Sequence, residues 1–303
     1  MLPRFDLADL QLFVHVLETG TLTAAAARSH ITLAAANERV QHMERQLRIP
    51  LLEREGLDVR PTPAGHTLGQ HAREMLQQLS HMQSAMGQFS NGLQGQVRIH
   101  GSCSAVSQHL PPTLTAYLQN HPNVAVELHE SDCDSVVRAT AQGLCDIGIA
   151  SDCADTSAVA TEVWRPEPLS VVLPASHALA RRVSIKLAEV VGDDWIGCPQ
   201  HSALLAQMDQ QAQRLGHPLR WRVQVQQLET MCQLVAQGLG VAAMPAAAAR
   251  RLATRYGVRA LALQDSWAQH QLLLCTRRDA RLPHAAQLLL EHLRAQAQPA
   301  RAS

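Results

Sequence analysis

Residues 21–47 read TLTAAAARSHITLAAANERVQHMERQL, and two helical patterns meet within them at Ser29-His30-Ile31. The first carries Leu22, Ala25 and Ala26, side chains small enough to let another helix come close. The second carries Ile31, Ala35, Val40 and Met43 with polar residues between them. Before them, Leu7, Leu10, Phe13, Val14 and Leu17 recur at helical spacing over 6–18, with Phe13 as the expected anchor of a small core. Thr19-Gly20 ends that helix, and Thr21 or Thr23 supplies the hydroxyl that caps the next.

Such a pair resembles a helix-turn-helix, whose second helix enters the major groove of DNA. Alanine-rich helices also suit an ordinary core, so the flanks matter. Thr32 is a good N-cap for the second helix, and that helix end can face a phosphate. Residues 51–61, LLEREGLDVRP, read as two short strand-like pieces around a turn at Gly56, the shape of a wing. Arg54 and Arg60 flank the turn. Arg54 is assigned a phosphate contact, against the alternative of a solvated surface charge, and Glu55 and Asp58 work against a strongly positive wing. The whole chain has formal net charge zero, and residues 1–92 carry eight arginines against nine acidic residues. Bulk charge gives no basic signal, but phosphates are held by local arginines and helix ends.

Thr62-Pro63 then caps and starts a long helix reaching about Gly87 or Asn91. Leu68, Ala72, Met75, Leu76, Leu79, Met82 and Met86 make one apolar stripe, read as a homodimer seam, with packing onto the chain's own C-terminal part as the alternative. The segment 90–96, SNGLQGQ, is polar and twice broken by glycine, which marks a boundary. Beyond it the rhythm changes. A strand over 97–100, a helix over 107–120, a strand over 124–130, a helix over 135–142 and a strand over 146–150 spell an open α/β lobe. A second lobe begins near Leu169 with SVVLP. It continues through Trp195-Ile196, a helix over 202–215, a strand over 222–226, a helix over 230–237 and a strand over 240–244. A strand over 271–276 and a closing helix over 283–296 end the chain's order.

Several function classes find no support. No run of 18 apolar residues is present, and MLPRFDLADLQLF does not read as a signal peptide, so a cytoplasmic protein is expected. Aromatic content of 3% disfavours stacking platforms for single strands. Seven cysteines, all after residue 100, are an odd set for a secreted disulfide framework. The 16 histidines form no H-E-x-x-H, so no metal or other cofactor is expected, and Cys103 has no recognisable base. Gly238-Leu239-Gly240 follows a helix and lacks a third glycine, so it is a turn and not a dinucleotide fingerprint. The expectation is therefore no enzyme.

The order of these features resembles the LysR-type bacterial transcriptional regulators over nearly the whole chain. The residues that carry the resemblance are LQLFVHVLETGTLTAAAARSHIT, Glu44 near the end of the second helix, PLLEREGLDVRPTPAG, LPPTLTAYLQNHPNVAVEL, GLCDIGIA and GLGVAAMP. The resemblance implies an N-terminal winged helix-turn-helix over 1–62, a linker and dimerisation helix over 63–92, and a periplasmic-binding-protein-like effector domain over 93–303. Its lobe one would be 93–165 with 269–303, and its lobe two 166–268. It also implies a homodimer or tetramer on double-stranded promoter or operator DNA, with a small effector bound between the lobes.

The recognition helix departs from the family pattern. Where the family has a Ser-Gln-Pro-Ala-like run followed by Val-Ser and a basic residue, this chain has Thr32, Leu33, Ala34, Ala35, Ala36, Asn37 and Glu38. Thr32 keeps a hydroxyl and Asn37 a polar reader, while Leu33 exchanges an amide for a group that suits a thymine methyl. The DNA-binding set is Thr32, Leu33, Ala34, Asn37, Arg39 and Arg54, with a small-metabolite module of weak or vestigial DNA binding as the alternative. For the effector, strand ends and helix starts point to Ser102 and Ser104, Ser151, His201 and Ser202, and Thr230, the last as the residue opening its helix. Hydroxyls at helix starts favour a compact, anionic ligand. Some relatives carry a redox cysteine pair in the second lobe, but here Cys198 and Cys232 are separated by a helix, so that reading is not adopted.

Overall fold

The computed structural model describes residues 5–55, 58–91, 95–198, 202–278 and 281–297. The chain divides into two compact units, one over 1–92 and the other over most of 93–303.

The first unit comprises α1 (Leu7–Thr19), α2 (Leu22–Arg28), α3 (Leu33–Leu47), β1 (Leu52–Glu55), β2 (Asp58–Pro61) and α4 (Pro63–Asn91). Its helix ends are set by side chains the sequence placed there. Asp6 accepts from the Asp9 amide at 2.9 Å while the Asp9 carboxylate accepts from the Asp6 amide at 3.0 Å, a reciprocal cap on α1. Thr21 caps α2, and Thr32 caps α3 through the Ala35 amide at 3.2 Å. The α2–α3 turn passes through His30 at φ 54°, in the left-handed region where a side chain is unfavourable. Ala25, Ala26 and Ala36 are fully buried with Phe13, Val40 and Met43, so the alanines are where helices touch. Glu44 holds the wing, because its carboxylate accepts from the amides of Leu51 and Leu52 at 2.8 and 3.2 Å. The β1–β2 hairpin is antiparallel, with Glu53 opposite Arg60.

Helix α4 starts as the sequence requires. Thr62 accepts from the Gly65 amide at 3.0 Å and donates to the Pro50 carbonyl at 2.8 Å. A Cβ at Gly69 would lie 2.2 Å from Leu17 Cδ1, so glycine is what lets α4 press against α1. This contact corrects the single-seam reading of the stripe. Leu68, Ala72 and Leu76 pack with Leu10 and Val14 of α1, whereas Met75, Met82 and Met86 are exposed. The stripe is therefore divided between residues that pack on α1 and methionines that face outward.

The second unit comprises β3 (Gly95–Gly101), α5 (Leu110–Asn120), β4 (Val124–Glu130), α6 (Cys133–Ala141), β5 (Ile147–Ser151), β6 (Ala160–Leu173) and β7 (Ser184–Ile185). Then follow β8 (Asp194–Gly197), α7 (Ala203–Arg214), β9 (Arg220–Gln224), α8 (Leu228–Ala236), β10 (Ala242–Pro245), α9 (Ala246–Tyr256), β11 (Arg259–Leu263), β12 (Gln269–Thr276) and α10 (His284–Ala295). A π-helical turn over Ala105–His109 precedes α5, so that helix starts later than its hydrophobic pattern suggests. The described strands form an eight-stranded sheet in the order β4-β3-β5-β12-β6-β11-β7, with β10 also on β6, and β8 and β9 pair separately. Strand β3 runs parallel to β4 and β5, as βαβ crossovers demand.

Strand β6 belongs to both lobes. Residues 160–168 pair with β12, and residues 169–173 pair with β10 and β11, so the change of partner falls between Pro168 and Leu169. A bulge at Trp164 lies on the lobe-one side. Each lobe has its own core. Lobe one closes over Trp164, Tyr117, Ile99 and Leu289, with the Trp164 indole donating to the Leu293 carbonyl at 3.0 Å. Lobe two is built on Trp195, Leu173, Met208 and Leu261, backed by a second cluster around Met231 and Met244.

Candidate functional site

Two surfaces carry polar side chains at strand or helix ends. On the first unit, α3 turns Leu33, Ala34 and Glu38 outward, with Asn37 half-buried among them. Leu33, at 48% exposure, is a large apolar side chain with no core to enter. The Thr32 hydroxyl is engaged as the cap. Arg39 points the other way from a phosphate ligand: its guanidinium lies 2.8 Å from Asp9, which is buried, and 3.6 Å from Asp6. It ties α3 to the start of α1. The side chain of Arg54 lies outside what is described.

The second surface is an open cavity of about 740 Å³ in the second unit. Asp152 and Cys153 line it from the turn after β5, Ala203, Ala206, Gln207 and Gln210 from α7, and Trp267, Gln269 and His270 from the approach to β12. Its floor owes its chemistry to strand register. His270 on β12 lies directly opposite Glu167 on β6, and both are 6% exposed. His270 Nδ1 is 2.7 Å from Asp152 Oδ1. His270 Nε2, Glu167 Oε1 and Gln207 Oε1 are buried without a hydrogen-bond partner. Native proteins leave few such groups; two of these residues, His270 and Gln207, line the cavity and Glu167 stands opposite His270, which marks a place where a ligand completes the bonding.

The charges are mutually dependent. Burial pushes the Glu167 carboxyl up to about 7, well above its ordinary 4.5. Ser104, itself buried, lies close enough to oppose that rise, though without the geometry of a full hydrogen bond. Burial pulls His270 down, but the hydrogen bond to Asp152 and the nearby Cys153, Asp152 and Glu167 carry it above its usual value. The Cys133 and Cys153 thiols are neighbours, since Cys133 Sγ accepts from the Ser151 amide and Cys153 follows Ser151 by two residues. The Cys133 thiol beside it brings Cys153 down to about 7 against the effect of burial, and Cys133 is itself driven up.

The serines chosen from sequence are partly engaged elsewhere. Ser102 is buried, its amide donating to the Ile149 carbonyl at 2.8 Å and its hydroxyl accepting from the Ala105 amide at 3.4 Å, so it stabilises the turn it stands in. The Ser151 amide donates to Cys133 Sγ at 3.4 Å. Ser202 is the N-cap residue of α7 without a side-chain capping bond, and it lies near enough to Cys198 to oppose the rise that burial gives that thiol. Thr230 requires a correction. Helix α8 begins at Leu228, so Thr230 lies inside its first turn and its hydroxyl meets the Gln227 amide oxygen at 3.5 Å. The apolar Leu228 extends the helix toward its N-terminus. His201 lies outside the described residues. Cys103 is no nucleophile in this setting, since burial and Glu130 push its thiol up to about 12.

Sequence reasoning missed Asp152, Glu167, Gln207 and His270. The only signal was weak: Glu167 and His270 stand at the edges of the apolar runs LSVVL and LLLC, among other polar residues of their strands.

The family model described as "Bacterial regulatory helix-turn-helix protein, lysR family" matches residues 7–66, and that described as "LysR substrate binding domain" matches residues 90–298. The chain belongs to the LysR family. It is a DNA-binding transcriptional regulator with an effector-binding domain. The uncharacterised HTH-type transcriptional regulator YbhD of Escherichia coli (strain K12) is 26% identical over 284 residues, covering 94% of this chain and 89% of that protein. The HTH-type transcriptional regulator IlvY of the same organism is 28% identical over 246 residues, covering 79% and 82%. The crystal structure of full-length CbnR with its target DNA superposes with a TM-score of 0.68 at 21% identity, over 97% of this chain and all of that one, and shows that the fold is shared. In this LysR regulator, α2 and α3 are the helix pair within the matched helix-turn-helix, and the β1–β2 hairpin follows them.

Proposed function

We propose that this regulator reads operator DNA with the exposed face of α3 and is switched by a small metabolite held between the lobes of its second unit. Thr32, Leu33, Ala34 and Asn37 meet the major groove, Arg54 positions a phosphate, and Arg39 keeps α3 in place. The domain limits follow the sequence: a head over 1–62, a linker helix over 63–92 and an effector domain over 93–303. The exposed Met75, Met82 and Met86 form the seam of a homodimer, the unit from which tetramers are built. The protein acts in the cytoplasm and catalyses no reaction; among the described residues no helix is long and apolar enough to cross a membrane.

The observation that carries the effector reading is the pair of unpartnered buried polar atoms on residues lining one cavity, His270 Nε2 and Gln207 Oε1, with the unpartnered Glu167 Oε1 on the residue opposite His270. A carboxylate accepting from a protonated His270, with Ser104 near Glu167, agrees with a compact anion and prefers Glu167 protonated. Glu167 takes up its proton as pH falls through about 7, and acid also favours the His270 imidazolium, so affinity for such a ligand rises toward acid. Mobility shift with the DNA upstream of the protein's own gene, repeated with candidate metabolites, tests the reading. Retarded DNA whose mobility or affinity responds to one metabolite supports it. No shift at low salt defeats the DNA assignment. A response that persists in His270→Gln and Gln207→Ala together defeats the cleft assignment.

A further inference from the structure

The second unit holds more chemistry than metabolite binding needs. Cys133 opens α6 and Cys153 stands in the turn after β5, twenty residues apart in sequence yet neighbours in the fold, since Cys133 Sγ accepts from the amide of Ser151, two residues before Cys153, at 3.4 Å. Cys153 is on the cavity wall, where a small solute reaches it, and Cys133 lies behind it. We propose that Cys133 and Cys153 are an oxidisable dithiol in the wall of the cleft, closed to a disulfide by hydroperoxides, so that the regulator answers to an oxidant as well as to a metabolite.

The surroundings divide the roles. The groups facing Cys153 are the Cys133 thiol, Ser151, His270, Asp152, Glu167 and Cys198. The Cys133 and Ser151 hydrogen bonds and the imidazole of His270 favour a thiolate at Cys153, against burial and Asp152. Its thiol titrates at about 7, which makes it the attacking sulfur, while Cys133 keeps its proton. The other cysteines are unsuited. Cys103, Cys145, Cys232 and Cys275 titrate at about 11 to 12, chiefly through burial, and burial also raises Cys198.

The steps balance. The Cys153 thiolate attacks one oxygen of the hydroperoxide, the O–O bond breaks, and the departing alkoxide or hydroxide takes a proton from water. Cys153 is then a sulfenic acid. The Cys133 sulfur attacks it, the S–O bond breaks, and the hydroxide leaves as water with the Cys133 proton. Two thiols and one hydroperoxide give one disulfide, one water and one alcohol, or a second water when the oxidant is hydrogen peroxide. With Cys133 Sγ against the Ser151 amide and Cys153 two residues further along the same turn, closure needs a local adjustment that brings the sulfurs to the ~2.05 Å of a disulfide. Closure also removes the Cys153 charge that helps to hold His270 protonated, so the metabolite site feels the oxidation directly.

The test uses reduced full-length protein, hydrogen peroxide at neutral pH, alkylation of the remaining thiols and peptide mapping. The expected first product is a peptide pair joined through Cys133 and Cys153. In Cys133→Ser the reaction stops at a Cys153 sulfenic acid that dimedone traps, and in Cys153→Ser the pair is inert. Without oxidant, iodoacetamide modifies Cys153 with a half-maximal rate near pH 7. At that pH it reacts roughly tenfold faster than an ordinary thiol, and Cys133→Ala loses most of that advantage. A first disulfide that joins any other cysteines, or Cys153 alkylated no faster than Cys198, overturns the proposal. Should Cys153→Ser fail to fold, the wild-type map and the Cys133→Ser trap decide the matter alone.

Discussion

Replacing Glu167 by Gln makes the second unit more stable, and only at neutral to alkaline pH. The carboxyl titrates at 4.5 ordinarily and at about 7 in the folded protein, chiefly through burial. The folded state therefore holds this proton more tightly than the unfolded state does. Stability falls as pH rises from about 4.5 to about 7 and is flat beyond. At about 1.36 kcal/mol per pH unit the full effect is roughly 3 kcal/mol. The side chain is 6% exposed, so solvent screens little of it. Glutamine fills the same volume and carries no charge, so any packing change is common to every pH and cancels in the comparison. All four tryptophans, Trp164, Trp195, Trp221 and Trp267, lie in the second unit, so their fluorescence follows its unfolding without interference from the DNA-binding head. Urea titrations at pH 4.5 and pH 8.5 should show Glu167→Gln gaining about 2–3 kcal/mol on the wild type between the two conditions. An equal difference at both pH values, or a variant that loses stability at pH 8.5, would refute the buried, uncompensated carboxyl.

Three further outcomes follow from the head and linker. Asn37→Ala should lower discrimination between operator and mismatched DNA by about 1–3 kcal/mol, read by competition mobility shift, if the amide makes a bidentate contact with a base. Arg39→Ala should lower the head's stability by about 1 kcal/mol in thermal or denaturant unfolding, because it leaves the buried Asp9 without its cation, and should leave the salt slope of DNA binding unchanged. Met82→Glu with Met86→Glu should dissociate the dimer in sedimentation while preserving the head's helicity, whereas Leu76→Glu should damage the head itself, since Leu76 packs against α1.

The periodic parts of the fold were legible in the sequence because their causes are local. Thr32 and Thr62 announce helix starts that hydroxyl caps then make, and the alternation over 124–130 becomes β4 with those bounds. Helix α9 and strand β11 were missed. The run AAAARRLATRY is alanine-rich and offers only Leu252 as a large apolar anchor, and β11 is short and begins just after the helix-ending Gly257. The site was less legible for a non-local reason. Nothing near Glu167 in sequence says that His270 will stand opposite it; that pairing depends on a register set by a bulge at Trp164 and a chain excursion of about a hundred residues. The same holds for Cys133 and Cys153, whose approach depends on α6 packing across the end of β5. The serines were visible because they sit at strand ends, but strand ends also need hydroxyls for their own turns, as Ser102 shows.

A strand hydrogen-bonded into two cores joins them as a loop cannot. The lobes can bend and twist about β6, but they cannot slide past one another without breaking its ladder. Pro166 and Pro168 donate no amide, so the ladder is thinnest just where β6 exchanges β12 for β10 and β11, and bending there sacrifices the fewest bonds. The motion that a captured ligand drives is thereby confined to one pivot. There is also a consequence for denaturation. If lobe two melted alone, β6 would lose its partners over 169–173 and leave a frayed, unpaired edge projecting from lobe one. The two cores, although separate in their apolar contents, should therefore unfold together in a single cooperative step.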